Sequence, residues 1–210
     1  MKIEIKDVTK KFKKDTILKN VNMSLSAGNI YGFIGRNGSG KSVLLKLICS
    51  FYEPTSGKIL FDGKDIFSSA EFPPRTRALI EKPNFLPDLT GKENLMLLAN
   101  IQHLITETEV DEILEKVLLS DDKHKKYHKY SLGMKQKLGI AQVLMEHPEV
   151  IILDEPFNGL DDDSIKQIRT LLLEEKKKGK LIIIATHLKD DIQFLCDEVY
   201  EFQNGVVFKK

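Results

Sequence analysis

Hydrophobic and polar positions change period several times along the chain. Ile3, Ile5 and Val8 alternate with charged neighbours, the twofold pattern of a half-buried strand. Related patterns predict strands over 17–25, 30–34 and 58–61, the last running into an Asp62-Gly63 turn. Between the third and fourth lies "SVLLKLICSFY", which reads as a helix stopped by "EPTSG".

The period then becomes helical. "TGKE" at 90–93 and "TETE" at 106–109 both match the capping box, in which a hydroxyl and a carboxylate satisfy the first amides of a helix. The second opens a helix whose Val110, Ile113, Leu114, Val117 and Leu118 line one apolar face. Ser131 has N-cap chemistry and precedes Met134, Leu138, Ala141 and Met145 at helical spacing, so another helix begins there. These elements predict a small helical subdomain. From 150 strand and helix alternate again: "VIILD", a helix through "DSIKQIRTLLLEEKKK" closed by Gly179, "LIIIAT", a further helix, and a hairpin around Asn204-Gly205. Continuous apolar strands between helices need cover on both faces of a parallel sheet, so the fold class is α/β.

A chain of 210 residues can bury a core without disulfide or metal staples. Its 32 basic and 31 acidic side chains leave a net charge of +1, so the overall balance does not call for nucleic acid or an anionic membrane surface as partner. The lysine-rich runs at 10–14, 123–129 and 176–178 read as solvated faces, and the last also suits a helix C-terminus. Cys49 and Cys196 lie in apolar, helix-like segments without paired spacing, which fits buried thiols in a reducing, cytoplasmic setting. The N-terminal alternation is unlike a secretory signal, and "LIIIA" at 181–185 is far short of the roughly 20 residues a membrane span needs.

The chemistry concentrates in three places. "GRNGSGKS" follows the strand "IYGFI" and opens a helix, the context of a phosphate-binding loop. There Gly35, Gly38 and Gly40 allow the tight turn, and Arg36, Asn37, Ser39 and Val43 complete the loop and the helix start. Lys41 offers a cation to the outer phosphates and Ser42 a hydroxyl to magnesium. "VIILDEP" ends a buried strand in two carboxylates, Asp154 for the magnesium shell and Glu155 as the catalytic residue that orients or deprotonates water. His187 ends "LIIIATH" on the same edge of the sheet and can donate to the terminal phosphate. His103, His124, His128 and His147 read as structural. A fourth stretch, "YSLGMKQK" at 130–137, carries no carboxylate, histidine or cysteine, yet its helix start presents free amides that suit an anion.

Together these residues resemble the nucleotide-binding subunit of ATP-binding cassette (ABC) transporters over nearly the whole chain. The resemblance rests on the Walker A loop Gly35 to Ser42, a signature-like "YSLGMKQ", Walker B "VIILDE", a D-loop "NGLD" ending at Asp161, and the switch His187. It implies a P-loop NTPase (RecA-like) core with a mostly parallel sheet, an N-terminal antiparallel β subdomain and an inserted helical subdomain. Residues 1–81 and 147–210 would form the core and about 82–146 the helical part of a single ABC ATPase domain. It also implies ATP and Mg2+ as ligands, and Phe12 as the aromatic that stacks on adenine. A second nucleotide-binding subunit, as a homodimer, would cover each nucleotide with Ser131 and Gly133, with Asp161 at the same interface.

Two positions depart from the family pattern. The common "LSGGQ" is "YSLGM" here, with Leu132 for the first glycine and Met134 for the glutamine. Glu81 stands where the Q-loop glutamine contacts the metal, so a donor is lost and a negative charge gained. These variants are similar to the branch that handles peptide antibiotics, in bacitracin resistance and lantibiotic export. The implied partner is an integral membrane permease, met by Phe85 and Leu86 in "KPNFLPDLT", which would hold the chain on the inner face of the cell membrane. The alternatives are a soluble ABC-type ATPase serving translation, DNA or cofactor assembly, and a small-molecule kinase using the same loop.

Overall fold

The computed structural model describes residues 1–68, 72–187, 192 and 194–210. Strands β1 (Lys2–Phe12), β2 (Asp15–Ser26) and β3 (Ile30–Ile34) lead into helix α1 (Lys41–Ile48), followed by β4 (Ser56–Phe61), the short β5 (Lys64–Asp65) and β6 (Thr76–Leu79). Three helices come next, α2 (Gly91–Gln102), α3 (Glu107–Lys116) and α4 (Leu132–Leu144), with a 3-10 turn at Tyr127–Lys129 before the last. The chain closes with β7 (Val150–Asp154), α5 (Asp162–Lys177), β8 (Leu181–Thr186), β9 (Glu198–Gln203) and β10 (Val206–Lys209).

The strands form two sheets. One is antiparallel in the order β2-β1-β4-β5; the other runs β10-β9-β3-β8-β7-β6. In the second sheet β9, β3, β8, β7 and β6 are mutually parallel, and β10 returns antiparallel through a turn where Asn204 (φ 51°) and Gly205 (φ 81°) both take left-handed backbone. Every residue of β3, β7 and β8 is buried. Their side chains divide by parity: Val150, Ile152, Leu181, Ile183 and Ala185 face a core shared with α1 and the antiparallel sheet. Ile151, Leu153, Ile182 and Ile184 face a second core shared with α2, α3, α4 and α5. This is the cover on both faces that the continuous apolar runs require, each buried Leu or Ile contributing about 1.5–3 kcal/mol of transfer free energy.

The sequence-based expectations meet the structure unevenly. Both capping boxes form, the Thr90 hydroxyl accepting from Glu93 N–H at 3.1 Å while Glu93 Oε2 accepts from Thr90 N–H at 2.7 Å. Strand β6 has no strand signature in the sequence. It is a sheet edge on which only Leu79 is buried, and the partly buried Arg77 pairs with the nearly buried Glu146 side chain, so no apolar pattern marks it. The helix expected after His187 falls largely on residues outside those described. Cys49 is buried at the end of α1, where burial pushes its thiol up to about 12, whereas Cys196 is only half-buried.

One contact seats the helical segment on the sheet and another holds the loop between them. Gly139 of α4 lies so close to Pro83 and Leu79 that a Cβ there would meet them at 2.9 and 3.1 Å. Asn94 of α2, itself buried, donates to Leu86 and Thr90 carbonyls and accepts from Leu86 N–H, clamping the loop that follows β6. Removing the α2 cap with Thr90→Ala is expected to cost about 1 kcal/mol. Calorimetry should then show Tm lowered by about 2–4 °C for a chain of this size.

Candidate functional site

Parallel order decides which side chains meet. The loops after β3, β8, β7 and β6 all leave the same edge of the sheet, and they carry respectively Gly35 to Gly40, His187, Asp154 with Glu155, and Glu81. This is the C-terminal strand edge at which ligands of open α/β sheets bind.

The loop between β3 and α1 is shaped by its glycines. Gly35 takes φ 153°, and a Cβ there would strike the Phe202 carbonyl oxygen at 2.6 Å; at Gly40, with φ 108°, it would strike Leu18 at 2.8 Å. Gly40 is also the N-cap of α1 and offers no side-chain acceptor, so the first amides of that helix stay available to an anion. The Lys41 ammonium, 5 % exposed, turns back to donate to the Gly35 carbonyl at 2.6 Å. Burial holds its pKa below the ordinary value despite the opposing pull of Glu155 and Asp154. Ser39 Oγ is buried without a partner.

Ser42 Oγ donates to Asp154 Oδ2 at 2.6 Å, joining the first turn of α1 to the end of β7. Burial raises the Asp154 carboxyl, and the Ser42 hydroxyl only partly offsets it. Glu155 has left-handed backbone at φ 50°, its N–H donating to the Ala185 carbonyl at 2.8 Å. Its Oε1 lies 2.9 Å from His187 Nδ1, while Oε2 is buried and unpartnered. Glu81, also left-handed at φ 66°, directs its carboxylate to Lys46 of α1 at 2.5 Å, and that bond raises the Lys46 pKa.

A cavity of about 350 Å³ is lined by Phe12, Ile17, the loop from Asn37 to Gly40, Lys41, Ser42, Val43, Asp154 and Glu155. Phe12 stands partly exposed at its margin, edge-on to Tyr52 at 5.2 Å with the Lys10 ammonium 4.8 Å from its ring. Arg36 lies instead beside a second opening of about 890 Å³, with His187 and Glu201 to Asn204.

The signature-like stretch lies elsewhere on the chain. Ser131 caps α4, accepting from Met134 N–H at 3.2 Å, and Asp161 caps α5, accepting from Ser164 N–H at 2.8 Å, which lowers the Asp161 pKa. Gly133 packs on the Gly159 carbonyl so closely that a Cβ would approach it to 2.7 Å, and the exposed Leu132 covers Gly159 from the other side. Ser131, Gly133, Met134 and Asp161 line a hollow of about 450 Å³ that shares no residue with the loop cavity.

Sequence reasoning brought Phe12, Lys41, Ser42, Asp154 and Glu155 to one cavity, and missed Ile17, Lys46 and Gln136. Gln136 is 6 % exposed and donates through Nε2 to the carbonyls of Glu155 and Pro156, both at 3.2 Å. Its signal was a single amide among the buried positions of α4, beside Gly139 and Ile140.

This arrangement can be compared with known proteins. The family model described as ABC transporter matches residues 18–158. YybJ of Bacillus subtilis (strain 168), an uncharacterized ABC transporter ATP-binding protein, is 37% identical over 99% of both chains. The bacitracin transport ATP-binding protein BcrA of Bacillus licheniformis is 37% identical over 99% of this chain and 69% of its own length. The lantibiotic transport ATP-binding protein SrtF of Streptococcus pyogenes is 32% identical over 99% of this chain and 90% of its own. Among solved structures, the dimeric post-hydrolysis state of the ATP-binding cassette MJ0796, bound to ADP and Pi, superposes with a TM-score of 0.88 at 25% identity, covering 99% of this chain and 97% of that one. With its P-loop NTPase fold and these relatives, the chain belongs to the ABC transporter family, as an ATP-binding, ATP-hydrolysing subunit.

Proposed function

We propose that two copies of this subunit bind and hydrolyse Mg-ATP at their interface, and so power a separate membrane permease that exports a peptide antibiotic. The observation that carries the catalytic reading is the pose of Glu155: Oε1 is anchored by His187, and Oε2 is buried without a partner beside the phosphate-binding loop. The triphosphate is held by Lys41 and the uncapped amides of α1, with Arg36, Asn37, Gly38 and Ser39 along the loop and adenine against Phe12. Glu155 Oε2 accepts the proton of an attacking water as the new P–O bond forms and the bond to the ADP oxygen breaks. His187 fixes that carboxylate and meets the terminal phosphate.

The donor set fits magnesium. A hydroxyl and a carboxylate from Ser42 and Asp154 are hard oxygen ligands, and Mg2+ commonly keeps several waters beside one or two such groups. Ser42 and Asp154 would hold it, with Glu81 the acidic group nearby; bound there, the ion neutralises charge on the phosphate oxygens. Among the described residues no cluster of three or more His, Cys, Asp or Glu competes for a metal.

The dimer reading rests on separation. Ser131, Gly133 and Asp161 line their own hollow, so their amides and hydroxyl reach a phosphate only if another copy presents it. That the ATP-binding cassette MJ0796 is dimeric in its ADP- and Pi-bound state supports a pairing of two copies. For the permease, no described helix is long and apolar enough to cross a membrane. Leu86 is exposed on the loop after β6, while Phe85 packs edge-on to Tyr127 at 5.3 Å, so Leu86 is the residue of that pair offered to the partner. The division into a core of 1–81 and 147–210 and a helical part of about 82–146 follows from the same reading, as does a cytoplasmic position on the inner face of the membrane. Relatives named for bacitracin and lantibiotic transport support a peptide antibiotic as cargo.

Glu155→Gln is expected to lower ATP turnover by about 10²-fold or more. The same variant should accumulate an ATP-dependent dimer in sedimentation analysis; undiminished hydrolysis would refute the role of Glu155. A second expectation concerns charge burial. Because the folded pKa of Asp154 lies above its ordinary value of 3.8, protonation favours the fold, and the contribution of this group declines as pH rises through that window. Without added nucleotide, Asp154→Asn should therefore raise Tm at neutral pH. The gain should shrink as pH falls toward 3.8, and Mg-ATP binding should weaken in the same variant.

A further inference from the structure

Gln136 joins the signature helix to the backbone of Glu155. It does so through polar bonds that take up its whole side-chain donor group. Its Nε2 is shared between the carbonyls of Glu155 and Pro156, each at 3.2 Å, and the side chain is 6 % exposed. Gly139, one turn further along α4, brings the helix close enough to Pro83 and Leu79 for that reach.

Glu155 needs to be held. Left-handed backbone at φ 50° is unfavourable for a residue with a Cβ and persists only where its surroundings impose it. The peptide before it is pinned to β8 by the Glu155 N–H bond to Ala185 O. The peptides after it are pinned by Gln136, with Asn158 N–H reaching the Glu155 carbonyl at a longer 3.3 Å. Oε1 is then fixed by His187, which leaves the direction of Oε2 set by three anchors from β8, α4 and the loop after β8. A proton acceptor displaced by about 1 Å can lose on the order of 10² in rate.

We infer that Gln136 is a positioning residue for ATP hydrolysis, fixing the Glu155–Pro156 backbone from the signature helix. The inference rests on the reading of Glu155 as the proton acceptor. It has a consequence for the dimer: α4 starts at Ser131, which serves the nucleotide of the other copy, so the seating of that helix is transmitted to the carboxylate of the same chain's own site.

The test uses the full chain with Mg-ATP and two substitutions. Gln136→Met keeps length and volume without the amide, and Gln136→Glu keeps the shape but sets carboxylate oxygen against two carbonyls. Both should lower kcat by about 10-fold or more with KM for ATP within about twofold, the pattern of a lost transition-state contribution. Both should also accumulate the ATP-dependent dimer, because binding persists while hydrolysis fails. A folded Gln136→Met chain with kcat within about twofold of the parent overturns the inference. So does a fall in kcat matched by lost ATP binding and lost dimer, which marks a merely structural defect; if the Met variant folds poorly, Gln136→Glu decides by the same criteria. Glu155→Gln run in parallel separates the two layers. Normal turnover in Glu155→Gln overturns both the reading and the inference, whereas slowed turnover there with parental kcat in the Gln136 variants overturns the inference alone.

Discussion

Lys41 folds its ammonium back to the Gly35 carbonyl at the mouth of a helix whose first amides no side chain caps. The rest of the site depends on that local constraint. A buried cation and free N–H groups at one point form a focus for negative charge, and burial has already weakened the hold of Lys41 on its proton. The parallel sheet supplies the remainder by placing Asp154, Glu155 and His187 at the ends of the neighbouring strands β7 and β8. Burial raises the Asp154 carboxyl and makes its charged form costly there, a cost that a bound cation would offset.

What the sequence disclosed follows from how each residue works. Glycines at left-handed positions, two capping boxes and strands buried on both faces all leave local signatures, because backbone conformation and periodic burial are written in neighbouring residues. Strand β6 left none, since a sheet edge carrying Thr76 and Arg77 gains its register from pairing with β7 rather than from its own pattern. The Lys46–Glu81 ion pair and the Gln136 bonds are likewise contacts across 35 and about 20 residues of chain, specified by tertiary packing alone. Glu81 was legible as a departure from the family pattern, but its partner was not.

Leu132 illustrates how a variant motif can keep its geometry. Where the family pattern has a glycine, this side chain lies outward over Gly159, while Gly133, whose Cβ has no room, is retained. Ser131 keeps its cap and Asp161 keeps its own, so the D-loop and the start of α4 form one continuous edge. That edge shares no lining residue with the Lys41 cavity, and in the proposed dimer the two would be the unlike halves of one anion site.

In the proposed dimer one nucleotide is gripped by the Lys41 loop of one copy and the Ser131 helix of another. Complementation measures it directly: Lys41→Ala and Ser131→Arg chains, each inactive alone, are mixed and ATP turnover is recorded. Mixed dimers hold one intact pairing, from the loop of the Ser131 variant and the helix of the Lys41 variant, so turnover should return on mixing. Full activity of the Ser131 variant by itself, or a mixture that dimerises yet stays silent, would contradict the claim.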